Sequence, residues 1–118
     1  MAPWLFRIVL HVKDIDVATT FYSAVLGVTG ERISDGTHFF DCGGVTLACY
    51  DPVTEGDASF PHPMPDYIYI QVEDLEDSFY RAQSTGGQML TRIDSLDTGE
   101  LCFYMKDPFG NPLCFVQA

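Results

Sequence analysis

Residues 8–27, IVLHVKDIDVATTFYSAVLG, and residues 68–87, IYIQVEDLEDSFYRAQSTGG, overlay without a gap at a shift of 60. Ile8 meets Ile68, Leu10 meets Ile70, Val12 meets Val72, Asp14 meets Asp74 and Gly27 meets Gly87. Self-similarity of this kind marks a structural unit written twice. In each copy Ile8, Leu10, Val12 or Ile68, Ile70, Val72 alternate with Arg7, Val9, His11 or Tyr67, Tyr69, Gln71. Period-2 alternation predicts a strand with two unlike faces. Asp14 and Asp74 stop the strands with side chains suited to cap a helix N-terminus. Ile15, Ala18, Tyr22, Val25 and Leu26 then recur at helical spacing, as do Leu75, Phe79 and Ala82, so each helix has one face to bury. Gly27, Gly86 and Gly87 offer left-handed caps at the far ends.

Downstream, Arg32-Ile33 falls over Arg92-Ile93, and the register resumes at a shift of 66 with Leu47 on Leu113. Three short strands complete each copy, about 31–34, 37–42 and 45–50 in the first and about 89–93, 100–106 and 113–117 in the second. The order is β-α-β-β-β, twice, an α+β fold of two tandem βαβββ modules. Asp107-Pro108-Phe109-Gly110 has the residues of a type I turn, and Gly43-Gly44 takes that place in the first copy. Residues 51–66 carry Pro52, Pro61, Pro63 and Pro65 among acidic residues, which reads as an extended, stiff linker. Residues 1–118 therefore form one domain, with the first module at about 4–50 and the second at about 67–118.

Composition sets the outer limits. A chain of 118 residues, 47% of them hydrophobic, supports one core and is too short for two independent ones, so the repeats must share it. Six basic against 17 acidic residues give a net charge of −11, a field that repels nucleic acid and anionic lipid. No apolar run spans a bilayer and the start lacks a signal-peptide pattern, so the expected address is cytoplasmic. Cys42, Cys49, Cys102 and Cys114 form no Cys-x-x-Cys pair and read as free thiols, the last three buried.

If Ile8, Leu10 and Val12 face the helix, then Arg7, Val9 and His11 face away, and the paired strand of the second module adds Tyr67, Tyr69 and Gln71 on that side. Arginine, histidine, tyrosine and glutamine there suggest the lining of a ligand cavity. Arg7 can hold a carboxylate, phosphate or sulfate in a bidentate fork, or pair with one of the chain's own acids. His11 can serve as a base, bind a displaced metal, or simply hydrogen-bond in a cavity or interface. Tyr50, Tyr67, Tyr69 and Trp4 can stack on a planar ligand or pack in a dimer interface. His38, after Asp35-Gly36, and His62, between two prolines, read as solvated.

The segments V-K-D-I-D at 12–16, F-Y-S-A-V-L-G at 21–27 and K-D-P-F-G-N-P-L-C-F-V at 106–116, with the duplication, carry a resemblance over essentially the whole chain. It resembles the vicinal oxygen chelate superfamily of glyoxalase I, bleomycin- and fosfomycin-resistance proteins, extradiol dioxygenases and methylmalonyl epimerase. The resemblance implies a cupped mixed sheet, usually in a homodimer, and in the family's enzymes a divalent metal held by His or Glu from the first and last strands of each module. Carried over by position, those sites fall on Arg7, Ala48, Tyr67 and Cys114. Guanidinium and methyl groups donate no lone pair to a metal, so no metal or other cofactor is expected. Cys114 facing Arg7 would have a depressed thiol pKa and nucleophilic character, or would pack as a small hydrophobe. The function implied is a metal-independent, bleomycin-resistance-like binding protein whose ligand site comprises Arg7, His11, Tyr50, Tyr67, Tyr69 and Cys114, with a small molecule as partner. The alternative is a lyase, isomerase or dioxygenase that uses acid–base residues or a displaced metal on His11, Cys114 or Glu100. A third reading is a structural dimer with a vestigial cavity.

Overall fold

The computed structural model describes residues 1–118. Element order is β1 (Arg7–His11), α1 (Ile15–Leu26), β2 (Glu31–Ser34), β3 (Thr37–Cys42) and β4 (Val45–Tyr50), followed by β5 (Ile68–Gln71), α2 (Leu75–Ser84), β6 (Gln88–Met89), β7 (Asp94–Ser95), β8 (Leu101–Lys106) and β9 (Pro112–Gln117). The expected helix caps form: Asp14 accepts the amides of Asp16 and Val17 at 3.0 and 3.1 Å, and Asp74 accepts that of Asp77 at 3.1 Å. Gly27 closes α1 with φ of 70°. At the end of α2 Gly86 is left-handed, whereas Gly87 is needed for room, since a Cβ there would lie 2.5 Å from Met105 Cε and 2.8 Å from the Ala82 carbonyl oxygen.

The first-module strands fall where the alternation places them. In the second module the expected strand at 89–93 splits into β6 and β7, both paired with β8. Between them the amides of Leu90 and Thr91 both donate to the Tyr104 carbonyl, and Thr91 Oγ1 takes the Tyr104 amide. Side chain has replaced backbone in the ladder, which is how threonine breaks a strand. The linker also departs from a plain extended connector. Asp51, buried, caps a turn through the amides of Val53 and Thr54, and Glu55 accepts the Gly36 amide at 2.5 Å, so residues 51–56 fold back on the first module.

β1 pairs in parallel with β4 in a four-stranded sheet of order β1-β4-β3-β2. β5 pairs in parallel with β9 in a second sheet of order β5-β9-β8-β6 with β7 on β8. The sheets are separate, so β1 and β5 do not pair with each other and each keeps one free edge. One buried cluster nevertheless spans both modules, joining Leu10, Phe21, Phe40 and Leu47 to Leu75, Phe103, Met105 and Phe115.

A polar tie locks the modules across this core. Tyr22 of α1, fully buried, donates to Asp107 Oδ2 at 2.5 Å. Asn111 Nδ2 donates to the same oxygen and to the His11 carbonyl, both at 2.9 Å, and Asn111 Oδ1 takes the Met64 amide of the linker at 2.9 Å. The expected turn forms around it, with the Gly110 amide on the Asp107 carbonyl at 3.1 Å. D-P-F-G-N is thus both a hairpin tip and the joint between modules, every buried polar side-chain atom finding a partner.

Candidate functional site

Strand alternation puts Arg7, Val9 and His11 of β1 on the sheet face away from the helices, beside Thr46, Ala48 and Tyr50 of β4 in register. Arg7 is exposed and its guanidinium lies 4.6 Å from the Phe39 ring centroid and 4.9 Å from that of Phe6. Neither of the chain's ion pairs, Arg32–Asp16 and Arg81–Asp77, involves it. Two aromatic faces therefore hold the cation while its five donors point to an open surface. At the other end of β1, His11 stacks at a tilt between Tyr50 and His62, with ring centroids 5.9 and 6.1 Å away. His11 Nδ1 accepts the His62 amide at 3.0 Å, which leaves the proton of the neutral ring on Nε2. The Tyr50 hydroxyl donates to Asp57 of the linker, and that hydrogen bond pushes its pKa up to about 12.

In the second module Tyr69 sits beside Cys114, which faces Tyr104 across the β8–β9 pair. Tyr67 meets Tyr104 edge-on at 4.9 Å, Tyr69 meets it at 6.4 Å, and the hydroxyls of Tyr69 and Tyr104 are 3.5 Å apart. Fully buried Cys114 thus lies between Tyr69 and Tyr104 in the sheet, with Tyr67 against Tyr104. Tyr104 and Phe39 do not stand out in the sequence. Tyr104 follows from the hairpin register, which puts it opposite Cys114; Phe39 over Arg7 requires the β3–β4 pairing.

Several residues lie elsewhere than the sequence suggests. Trp4 precedes the first strand and is exposed, so it packs in none of this. His38 is buried, not solvated: Nε2 bonds the Thr29 carbonyl at 2.9 Å and Nδ1 takes Arg32 Nε at 3.3 Å. His62 is exposed as expected, though its backbone holds His11. Cys114 has no depressed pKa. Burial, and then the neighbouring Cys102, push its thiol up to about 12, and burial does the same to Cys49. Arg7 belongs to the other sheet and is not among the groups that move it. A thiol held protonated is a poor nucleophile, so Cys114 packs as a small hydrophobe.

These thiols predict alkaline lability. In the unfolded chain they ionise near about pH 8.5 and in the folded chain at about 12, so above pH 8.5 the unfolded state binds fewer protons and stability falls. Each thiol adds to that fall between those limits. Buried Tyr22, raised above its ordinary value by burial and Asp107, adds to the fall above pH 10. Urea midpoints under reducing conditions should drop steadily from pH 8.5 to 11, and a flat profile would contradict the burial of these groups.

The metal positions implied by the resemblance carry the wrong donors. Ala48 offers a buried methyl, Arg7 a cation, Tyr67 a phenol and Cys114 a protonated thiol. Arg7 and Ala48 lie in one sheet, Cys114 in the other. These residues do not fit a divalent metal. The displaced set fares no better: Glu100 is bonded to Thr98 in the turn before β8, His11 ends β1 and Cys114 is in β9, and no group of three His, Cys, Asp or Glu side chains in the chain is placed to hold a metal ion.

Comparison with known proteins agrees with this architecture. Residues 4–115 match the model of the Glyoxalase/Bleomycin resistance protein/Dioxygenase superfamily. A glyoxalase-related enzyme from Fulvimarina pelagi superposes with a TM-score of 0.83 at 21% identity, over 99% of this chain and 89% of that one. A glyoxalase/bleomycin resistance protein from Albidiferax ferrireducens T118 gives 0.80 at 18% identity, over 97% and 98%. Lactoylglutathione lyase from Agrobacterium tumefaciens gives 0.71 at 20% identity, over 100% and 96%. No curated protein matches the sequence. At these identities the likeness to solved structures concerns the fold.

Proposed function

The chain belongs to the Glyoxalase/Bleomycin resistance protein/Dioxygenase superfamily, and within it we propose a metal-independent protein that binds a small planar molecule on the sheet face away from the helices. The observation that carries this reading is Arg7. At the position where the family's enzymes place a metal ligand stands a cation with no carboxylate partner, braced by Phe6 and Phe39 and open to a ligand. A guanidinium so placed supplies the charge that a metal would otherwise direct at a ligand oxygen, through a bidentate fork. Tyr67, Tyr69 and Tyr104 supply ring faces and hydroxyls, and His11 supplies the Nε2 proton.

Arg7 and the tyrosines lie on separate sheets with free edges at β1 and β5, and a homodimer that sets one sheet against the other sheet of a second copy would close a cup around the ligand. Exposed Phe6, Val9 and Tyr69 near Arg7 and Tyr104 suit such an interface. Binding, and not turnover, is the proposed activity, since no nucleophile, metal set or free acid–base pair comes together there.

The test is elemental analysis followed by calorimetric titration with Ni²⁺, Zn²⁺, Mn²⁺ and Fe²⁺ under reducing, anaerobic conditions. No stoichiometric metal and no saturable heat are expected; one tightly held ion per chain would overturn the reading. For an aromatic carboxylate found by thermal-shift screening, Arg7→Ala should weaken binding by more than about tenfold, the scale of a lost charged hydrogen-bond pair, with the melting temperature unchanged. Equal affinity would remove Arg7 from the site.

A further inference from the structure

The polar tie between modules has no counterpart on the opposite side of the duplication, and the space it would fill is open. Tyr22, Asp107 and Asn111 plug the junction of α1, the end of β1 and the β8–β9 hairpin. The matching junction comprises α2, the end of β5 and the β3–β4 hairpin. There the residue 60 positions after Tyr22 is Ala82, and the hairpin tip is Gly43-Gly44, without side chains to reach across. What remains is a cleft of about 940 Å³.

Its walls are apolar, built from Ile8, Val25, Leu47, Ile68, Ile70 and Val72. Ile8, Leu47, Ile68, Ile70 and Val72 belong to the helix-facing sides of their strands, and Tyr69 and Gln71 of the edge strand β5 line the cleft as well. Its rim holds Asp41, Glu73, Asp74 and Asp77 against Arg81 alone, and Arg81 is already 2.8 Å from Asp77. Asp41 accepts the Gly44 amide and Asp74 caps α2, so these carboxylates offer a ligand charge more than free acceptor sites. Glu73 belongs to neither ion pair.

We propose that this cleft is a second binding site, for a small amphipathic cation, a quaternary ammonium carried on an apolar body. An apolar chain buries against the wall and gains roughly 25 cal/mol per Å². A diffuse ammonium without N–H donors needs only the rim's negative charge, to which Glu73 contributes with no ion-pair partner of its own. An anion would meet four carboxylates and one compensated guanidinium.

The probe is decyltrimethylammonium, titrated by calorimetry well below its micelle-forming range, with uncharged decyldimethylamine oxide as the matched comparison. One site per chain is expected, with the ammonium held about fivefold more tightly than the amine oxide, the scale of an exposed charge pair. Glu73→Lys should weaken the cation by about fivefold or more, whereas Asp97→Lys, the same change in net charge placed in the β7–β8 turn, should shift it less than about twofold. Val45→Trp, which fills the wall, should abolish saturable binding. Equal effects of E73K and D97K would mean that only the overall field attracts the cation, and equal affinities of the two probes would mean simple apolar adhesion. Either result overturns the site, as does an absence of saturation up to about 1 mM. A change in sedimentation of V45W with the wild-type protein insensitive to the cation would overturn it too, assigning the cleft to a second copy instead.

Discussion

Asp107→Ala is expected to lower stability by about 4 kcal/mol and the melting temperature by more than about 10 °C. The carboxylate is buried and accepts four hydrogen bonds, from the Tyr22 hydroxyl, the Asn111 side-chain amide and the backbone amides of Phe109 and Asn111. Alanine leaves the tyrosine hydroxyl and the asparagine amide without this acceptor in a site that water does not reach, and each such group costs about 1–3 kcal/mol. Tyr22→Phe removes a single donor while keeping the ring in the core, and should cost only about 1–2 kcal/mol. Urea unfolding of the two variants separates the cases. If D107A were no worse than Y22F, the Asp107 carboxylate would not be the hub of the tie. Because the same network holds the His11 carbonyl and the Met64 amide, D107A should also loosen the linker, detectable as faster proteolysis around residues 57–66.

Phe103→Ala is the other large effect, expected at about 4 kcal/mol. Phe103 is fully buried, with the Phe79 ring edge-on at 5.0 Å and the Phe115 ring nearly parallel at 5.3 Å. Truncation forfeits the transfer free energy of the ring and leaves a cavity that the stiff β8–β9 ladder closes poorly. Phe103→Leu, which keeps most of the volume, should cost about 1–2 kcal/mol. Equal losses for the two variants would show that the site collapses around the deletion. This residue carries the link between α2 and its sheet, so its loss tests whether the second module holds itself together or leans on the first through the shared core.

The candidate site is partly legible in the sequence. Period-2 alternation alone places Arg7, His11, Tyr67 and Tyr69 on the outward face, and the outward face is where they are. Their neighbours are not legible. Phe39 beneath Arg7, Tyr104 beside Tyr69 and His62 against His11 are contacts between strands or linker segments far apart in the chain, and alternation says which face a residue takes without saying what crosses to meet it. His38 misleads for a different reason: its partners, Arg32 and the Thr29 carbonyl, are only six and nine residues away, and it is the β2–β3 hairpin that turns them onto both ring nitrogens. The pKa of Cys114 turns on its burial and on the neighbouring Cys102, properties of the assembled β8–β9 sheet.

By itself the sequence determined the duplication, the two capped amphipathic helices and the first-module strands, because Asp14, Asp74 and the spacing of apolar residues act within a few positions along the chain. It also determined which residues stand at the metal positions that the family resemblance implies, among them an arginine and an alanine, which donate no lone pair in any fold. Only the tertiary structure decided that the modules form two sheets with free edges, that Asp107 and Asn111 tie one junction, and that the opposite junction stays open. Those outcomes depend on side chains meeting across 85 or 100 positions of chain, as Tyr22 meets Asp107 and Asn111 meets the His11 carbonyl. Such meetings are settled by which polar groups can be satisfied together in a common core.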